Sequence, residues 1–232
     1  MKLVLFDIDG TILTSHGAGR AAVLEALGLA CGREVESDRV SFAGRTDRQI
    51  MRDLLTGGGP TDARIDDLLD RCLDTYASVF KRNIRPEMVD VLPGVHQLIG
   101  LLSAREDVLL GLLTGNLEET AYLKLRVAGL ADYFPFGAFG SDGEDRYALP
   151  EIALMRAYHA TGVQVAATRT AIIGDTPHDI GCANRFGAVS IGVCTGPYTR
   201  DELAPCGAQL LLDDLNDPHS VLEVLDAMDR IA

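Results

Sequence analysis

The sequence predicts an α/β fold: a Rossmann-like parallel sheet with helices on both faces, and an all-helical insert after the first strand. Three observations carry this. Short apolar, β-rich runs recur at wide intervals and alternate with stretches of helical spacing, the pattern of a parallel sheet with crossover helices. Several runs are too continuously apolar for a half-exposed strand, as expected where both faces are buried. Residues 15–87 then break the rhythm and read as helices without strands.

The elements follow in order. Lys2-Leu3-Val4-Leu5-Phe6 opens the chain as a strand. Inside the insert, helical spacing covers 19–29, 46–55 and 65–81, separated by Gly, Ser and Pro; the turn Thr56-Gly57-Gly58-Gly59-Pro60 ends the middle helix. After Val91-Leu92-Pro93-Gly94 a helix through Leu102 restores the alternation. Strands are then expected at 108–113, 136–140, 170–174, 189–193 and 209–212, with helices at 117–128, 152–161, 179–186 and 219–232. The predicted division is a core of residues 1–14 and 88–232 around a helical unit of 15–87.

Composition narrows the function classes. The 232 residues have 21 Lys and Arg against 34 Asp and Glu, a net charge of −13, so there is no basic surplus to neutralise a nucleic-acid backbone. No apolar run approaches a membrane span, and no basic stretch with an apolar signal core opens the chain. The five cysteines, Cys31, Cys72, Cys182, Cys194 and Cys206, are odd in number and form no Cys-x-x-Cys pair, which disfavours a disulfide frame or a zinc knuckle. The expected address is the cytoplasm. Lysine occurs only at Lys2, Lys81 and Lys124.

In an open parallel sheet, ligands sit outside the carboxyl ends of the strands. Asp7, Asp9, Gly10 and Thr11 follow the first strand. Thr114, Gly115 and Asn116 follow the strand at 108–113 and open a helix whose N-terminal N–H groups favour anions. Asp175, Thr176, Pro177, His178 and Asp179 follow the strand at 170–174. Asp7 and Asp9 alternate in an extended segment and so point the same way, repelling each other unless a cation intervenes or one of them is protonated. Four carboxylates at two strand ends, all hard oxygen donors, point to Mg²⁺. A calcium loop is excluded by position, since Gly10 would be its fourth residue and Ala18 its twelfth.

Asp7-Ile8-Asp9-Gly10-Thr11, Thr114-Gly115-Asn116 and Gly174-Asp175-Thr176-Pro177-His178-Asp179 resemble motifs I, II and IV of the haloacid dehalogenase-like hydrolase superfamily. Their order and spacing fit over essentially the whole chain, and the insert resembles the C1 cap of its phosphoglycolate phosphatase-like members. The resemblance implies a Mg²⁺-dependent phosphomonoesterase acting on a small phosphorylated metabolite, with 2-phosphoglycolate the first substrate to try, as a monomer or homodimer. It implies Asp7 as nucleophile, forming an aspartyl-phosphate, and Asp9 as acid/base. Mg²⁺ would be held by Asp7, the backbone carbonyl of Asp9, Asp175 and Asp179. Thr114, Gly115 and Asn116 would bind the phosphoryl oxygens. The cap loop Phe42-Ala43-Gly44-Arg45-Thr46-Asp47-Arg48 is similar in position to the family's specificity loop, with Gly44 and Arg45 its candidates for substrate contact.

One motif departs from the common pattern. Relatives usually carry a lysine upstream of motif IV, and none of the three lysines lies there; Arg146, in 140–150, is the only cation in that segment and is assigned the role. Arg169 is the rival, at the opposite end of its strand. A sugar-phosphate phosphomutase is the nearest alternative. Such relatives often carry a cap histidine near Gly19-Arg20 and valine in place of Thr11, so both departures lean toward phosphatase. A dehalogenase needs neither Asp9 nor the metal site, and a phosphonatase needs a cap lysine, for which only Lys81 would serve. A phosphoacceptor signalling domain would be half this length and lack the insert.

Overall fold

The computed structural model describes residues 1–32, 40–57 and 63–230. Six parallel strands form the central sheet in the order β5-β4-β1-β6-β7-β8. They are β1 (Lys2–Phe6), β4 (Val108–Leu113), β5 (Gly137–Ala138), β6 (Thr170–Gly174), β7 (Val189–Val193) and β8 (Leu210–Leu212). Between β1 and β4 come β2 (Leu13–Thr14), α1 (Ala18–Cys31), α2 (Asp47–Thr56), α3 (Ala63–Asn83), β3 (Asp90–Val91) and α4 (Val95–Ser103). The remaining helices are α5 (Glu118–Val127), α6 (Leu149–Thr161), α7 (Pro177–Phe186), α8 (Arg200–Leu203) and α9 (Pro218–Ala227).

The side-chain period of two sorts each central strand between two cores. From β1, Val4 and Phe6 enter a cluster completed by α4, α5 and α9 through Leu98, Leu102, Leu125 and Val221. Leu3 and Leu5 face the other way, onto Leu149 and Ala153 of α6 and Ala183 of α7. This two-sided burial explains why β1 and β6 read as unbroken apolar runs. Helices α1, α2 and α3 enclose a further cluster of their own, built on Val23, Leu27, Ile50, Met51, Tyr76 and Phe80.

Strand order reverses at β1, which pairs with β4 on one side and β6 on the other. Phe6 lies opposite both Leu112 and Ile173, so the next residues, Asp7, Leu113 and Gly174, are level at the carboxyl edge. The ladder continues through the Asp7 N–H, which donates to the Ile173 carbonyl at 2.9 Å. Register alone therefore delivers Asp7, Thr114 and Asp175 to one crevice.

Several bounds differ from the sequence expectation. The helix expected from 65 runs from Ala63, and that expected from 152 starts at Leu149, with Pro150 in its first turn, where a missing N–H costs nothing. The strand expected over 136–140 is only Gly137–Ala138. Just beyond it the chain turns against the second motif, and a Cβ on Gly140 would stand 2.0 Å from the Gly115 carbonyl oxygen. The antiparallel pair of β2 with β3, Leu13 opposite Val91, has no two-residue signal strong enough to predict. It ties together the chain on either side of α1–α3. The helix expected over 219–232 ends at Ala227 and continues as a 3-10 turn to Arg230. Gly57 closes α2 in the left-handed conformation, while 58–60 of the expected turn lie outside the described residues. All five cysteines are free.

Candidate active site

The carboxyl edge opens into a cavity of about 390 Å³. Its floor holds Asp7, Asp9, Thr114, Asn116, Arg146 and Asp175, and its roof includes Arg20, Phe42, Arg45, Ile50 and Tyr76 from α1–α3 and their loops. Asp7 is 6 % exposed and Asp175 1 %. Carboxylate oxygens of Asp7, Asp175 and Asp179 all lie within 4.8 Å of one another.

Each acid has a distinct surrounding. Arg146, reached through the 3-10 turn before α6, donates from Nη2 to Asp7 Oδ1 at 3.1 Å and to the Leu113 carbonyl at 3.4 Å, and also pairs with Asp179 Oδ1. Asp179 is the third residue of α7, and its Oδ2 accepts from the N–H and hydroxyl of Thr176 in a capping box. Asp175 Oδ1 accepts from the Thr11 hydroxyl at 2.9 Å. Glycine is required around it: Gly10 has φ +86°, and a Cβ there would stand 2.4 Å from Asp175 Oδ2.

Burial raises the Asp7 carboxyl to about 6; Arg146 opposes the shift while Asp179 and Asp9 add to it. Burial and repulsion from Asp7 and Asp179 push Asp175 well above the usual range. This is the signature of a donor set short of positive charge, and three close oxygens backed by a glycine-lined cradle suit a hard divalent cation.

Asp9 is turned away from that cluster. Its Oδ1 accepts from Ser15 at 3.2 Å, and its Oδ2 from Asn116 Nδ2 at 2.8 Å and from Lys124 Nζ at 2.5 Å. Burial would raise it, but the Lys124 ammonium and the Asn116 and Ser15 hydrogen bonds prevail and hold it below the usual value. Asp9 lies outside the cluster of Asp7, Asp175 and Asp179, and it lines the cavity.

Thr114 and Asn116 meet at 2.8 Å, through Asn116 Nδ2 and the threonine oxygen. Gly115 permits a close approach, since a Cβ there would stand 2.0 Å from the Arg45 carbonyl. Gly44 is likewise a contact point, with φ +70° and a Cβ position 2.6 Å from Thr176 Oγ1. Arg45 lines the cavity, yet its guanidinium pairs with Asp53 and donates to the Ser41 carbonyl at 3.3 Å. Arg169, the rival cation, bonds the Met228 carbonyl and Asp229, away from the cavity.

Among the polar lining residues, sequence reasoning gave no role to Lys124 or Tyr76 and named Asp47 only as part of the cap loop. Lys124 carried a readable signal, because it falls on the same stripe of α5 as Ala121 and Leu125, a cation where the helix buries its face. Asp47, at the start of α2, accepts from the Leu117 N–H at 2.9 Å and donates its own N–H to the Gly115 carbonyl at 2.7 Å. Burial raises its carboxyl to about 6 against the pull of Lys124.

Among curated proteins, the chain is 28 % identical over 225 residues to a protein named probable phosphatase IndB from Dickeya dadantii, covering 93 % of this chain and 90 % of that one. It is 26 % identical over 217 residues to a phosphoglycolate phosphatase from Pseudomonas fluorescens, covering 92 % and 77 %. Among solved structures, a β-phosphoglucomutase from Clostridium difficile superposes with a TM-score of 0.72 at 20 % identity, covering 98 % of both chains. A structure described as a predicted phosphatase from Clostridium acetobutylicum gives 0.72 at 21 %, covering 96 % and 98 %. At such identities the likeness is one of fold. The family model for haloacid dehalogenase-like hydrolases matches residues 4–193, which hold all three strand-end motifs, and the chain belongs to that family.

Proposed function

We propose that the protein is a Mg²⁺-dependent phosphomonoesterase of small phosphorylated metabolites in the cytoplasm, with helices α1–α3 and their loops (15–87) acting as a cap over a core of 1–14 and 88–232. The observation that carries this reading is Asp7: a buried carboxylate at the switch point of the sheet, lining the cavity, with Arg146 on one oxygen and two further acids within reach. Curated relatives named as phosphatases support the same choice.

In this reading Asp7 attacks phosphorus, the ester P–O bond breaks, and an aspartyl-phosphate forms; water then cleaves it and releases phosphate. Asp9, whose carboxylate lines the cavity and is held ionised, takes a proton from the entering phosphate monoanion, gives it to the departing oxygen, and then takes one from the attacking water. Arg146 Nε is buried without a partner, which leaves one donor of this guanidinium for a phosphoryl oxygen. The Thr114 hydroxyl and the Gly115 N–H receive the other oxygens. Asp7, Asp175, Asp179 and the Asp9 carbonyl would hold Mg²⁺, which when bound offsets the repulsion between the acids and the phosphate and polarises a phosphoryl oxygen. Gly44 and Arg45 contribute the roof at the leaving-group end. The cavity volume suits a small ester, and 2-phosphoglycolate is the first to test.

The test is phosphate release from 2-phosphoglycolate, hexose phosphates, nucleoside monophosphates and p-nitrophenyl phosphate, with Mg²⁺ or EDTA, for wild type and Asp7→Asn. Turnover that needs the metal and vanishes in the variant is expected. No release from any ester would end the phosphatase reading and direct attention to phosphoryl transfer between sugars.

A further inference from the structure

Lys124 is the one buried cation at the cavity that the motifs leave unused. It is 2 % exposed, on the second turn of α5, and reaches Asp9 across 115 positions of sequence. Its ammonium donates to Asp9 Oδ2 at 2.5 Å and to Asn116 Oδ1 at 2.6 Å, and it stands 5.6 Å from the centre of the Phe80 ring of α3. Asp47, the Tyr76 hydroxyl and the Thr120 hydroxyl bonded to it are further polar groups of this corner.

An ammonium can only donate, so the atom of Asn116 that faces it must be the carbonyl oxygen. That fixes the amide's orientation. Nδ2 must then point the other way, and its two contacts at 2.8 Å are Asp9 Oδ2 and Thr114 Oγ1. Thr114 Oγ1 also accepts from the Asn116 N–H at 3.3 Å, so its acceptor sites are taken and its own proton is left for another oxygen. One cation thereby sets the directions of three side chains.

We propose that Lys124 is a positioning residue for the leaving-group side of the site: it clamps Asp9 to Asn116, holds the Asp9 carboxylate toward the departing oxygen, and through Asn116 leaves the Thr114 hydroxyl directed at the phosphoryl group. This rests on the phosphomonoesterase reading above. A solely structural ion pair would stabilise the fold and affect every substrate alike. A positioning residue affects most those esters whose leaving oxygen needs a proton.

The experiment compares wild type, Lys124→Met, Asp9→Asn and the double variant on 2-phosphoglycolate and on p-nitrophenyl phosphate, whose phenolate leaves unaided. Lys124→Met is expected to lower kcat on the alkyl ester roughly 100-fold, with KM within about threefold, and to lower it under about tenfold on the aryl ester. In the Asp9→Asn background the same change should cost less than about tenfold, the part carried through Asn116 and Thr114, because the carboxylate it positions is gone. Equal losses on both esters, or the same loss with and without Asp9, would overturn the proposal, as would a rise in KM alone. Lys124→Gln, which keeps a donor and fills the volume, guards against a misfolded methionine variant and should fall between. A second readout needs no turnover: in a crystal structure of Lys124→Met the Asn116 amide should rotate and Asp9 leave its contact. Both side chains staying in place would refute the clamp. Wild type lacking hydrolysis while the variant's side chains move would instead leave the clamp standing and remove the phosphatase reading beneath it.

Discussion

In the proposed site Arg146 stands where the family usually carries a lysine. Its Nη2 touches Asp7, Asp179 and the Leu113 carbonyl, at the end of a stem longer than a lysine's. Burial opposes its charge, but the two carboxylates hold its pKa above the ordinary arginine value. Arg146→Lys is therefore expected to fold and to keep some activity, with kcat reduced about 10- to 100-fold, whereas Arg146→Met should lose at least about a thousandfold, since it leaves Asp7 and Asp179 unpaired. Steady-state kinetics on the best ester, with melting temperatures for both, checks this. The choice of Arg146 could be made from sequence because it was the only cation of its segment. Lys124 was passed over because helical periodicity ranks residues by apolarity, so its readable signal, a cation on the apolar stripe of α5, counts against the stripe instead of marking a site.

At the scale of elements, the loop that carries Arg146 also holds the start of α2. Glu144 Oε1 accepts from Arg52 Nε at 2.7 Å and lies 2.6 Å from its Nη2, and the Glu144 carbonyl accepts from the Thr46 hydroxyl at 3.1 Å. The helical layer and the proposed phosphate clamp are thus tied together two residues apart. Glu144→Ala should raise KM about three- to tenfold with a smaller change in kcat, because closure of the roof becomes less favourable. Stability should change by no more than about 1 kcal/mol, the glutamate being a third exposed. A KM unchanged from wild type would mean that the roof closes without this contact. Sequence indicated three helices and no strands here, from spacing and glycine punctuation. It gave no hint of the β2–β3 clasp or of the Glu144 contacts, which are set by tertiary register rather than by local pattern.

For the whole molecule, charge is the dominant feature: 34 acids against 21 Lys and Arg, with buried acids gathered at one edge. The parallel sheet and its switch point were legible because doubly buried strands leave long apolar runs, and the motif residues because they end those runs. The electrostatic cost of the site was only half legible, since two alternating aspartates announce repulsion but not which acid is relieved. Asp47 offers a clean measure of that cost, lying off the carboxylate cluster and without a hydrogen-bonded cation. Its pKa is raised from 3.8 to about 6 by burial, so the folded chain holds this proton more tightly than the unfolded chain does. The associated stability is fully present below pH about 4 and is lost as pH rises through about 6. Asp47→Asn retains an oxygen for the Leu117 N–H and carries no charge. It should therefore be more stable than wild type at pH 7 to 8, by up to about 3 kcal/mol, and the advantage should vanish near pH 4. Urea titrations of both proteins across that range test this directly. A stability difference independent of pH would show that Asp47 meets enough positive charge, from Lys124 and the start of α5, to be ionised at no cost.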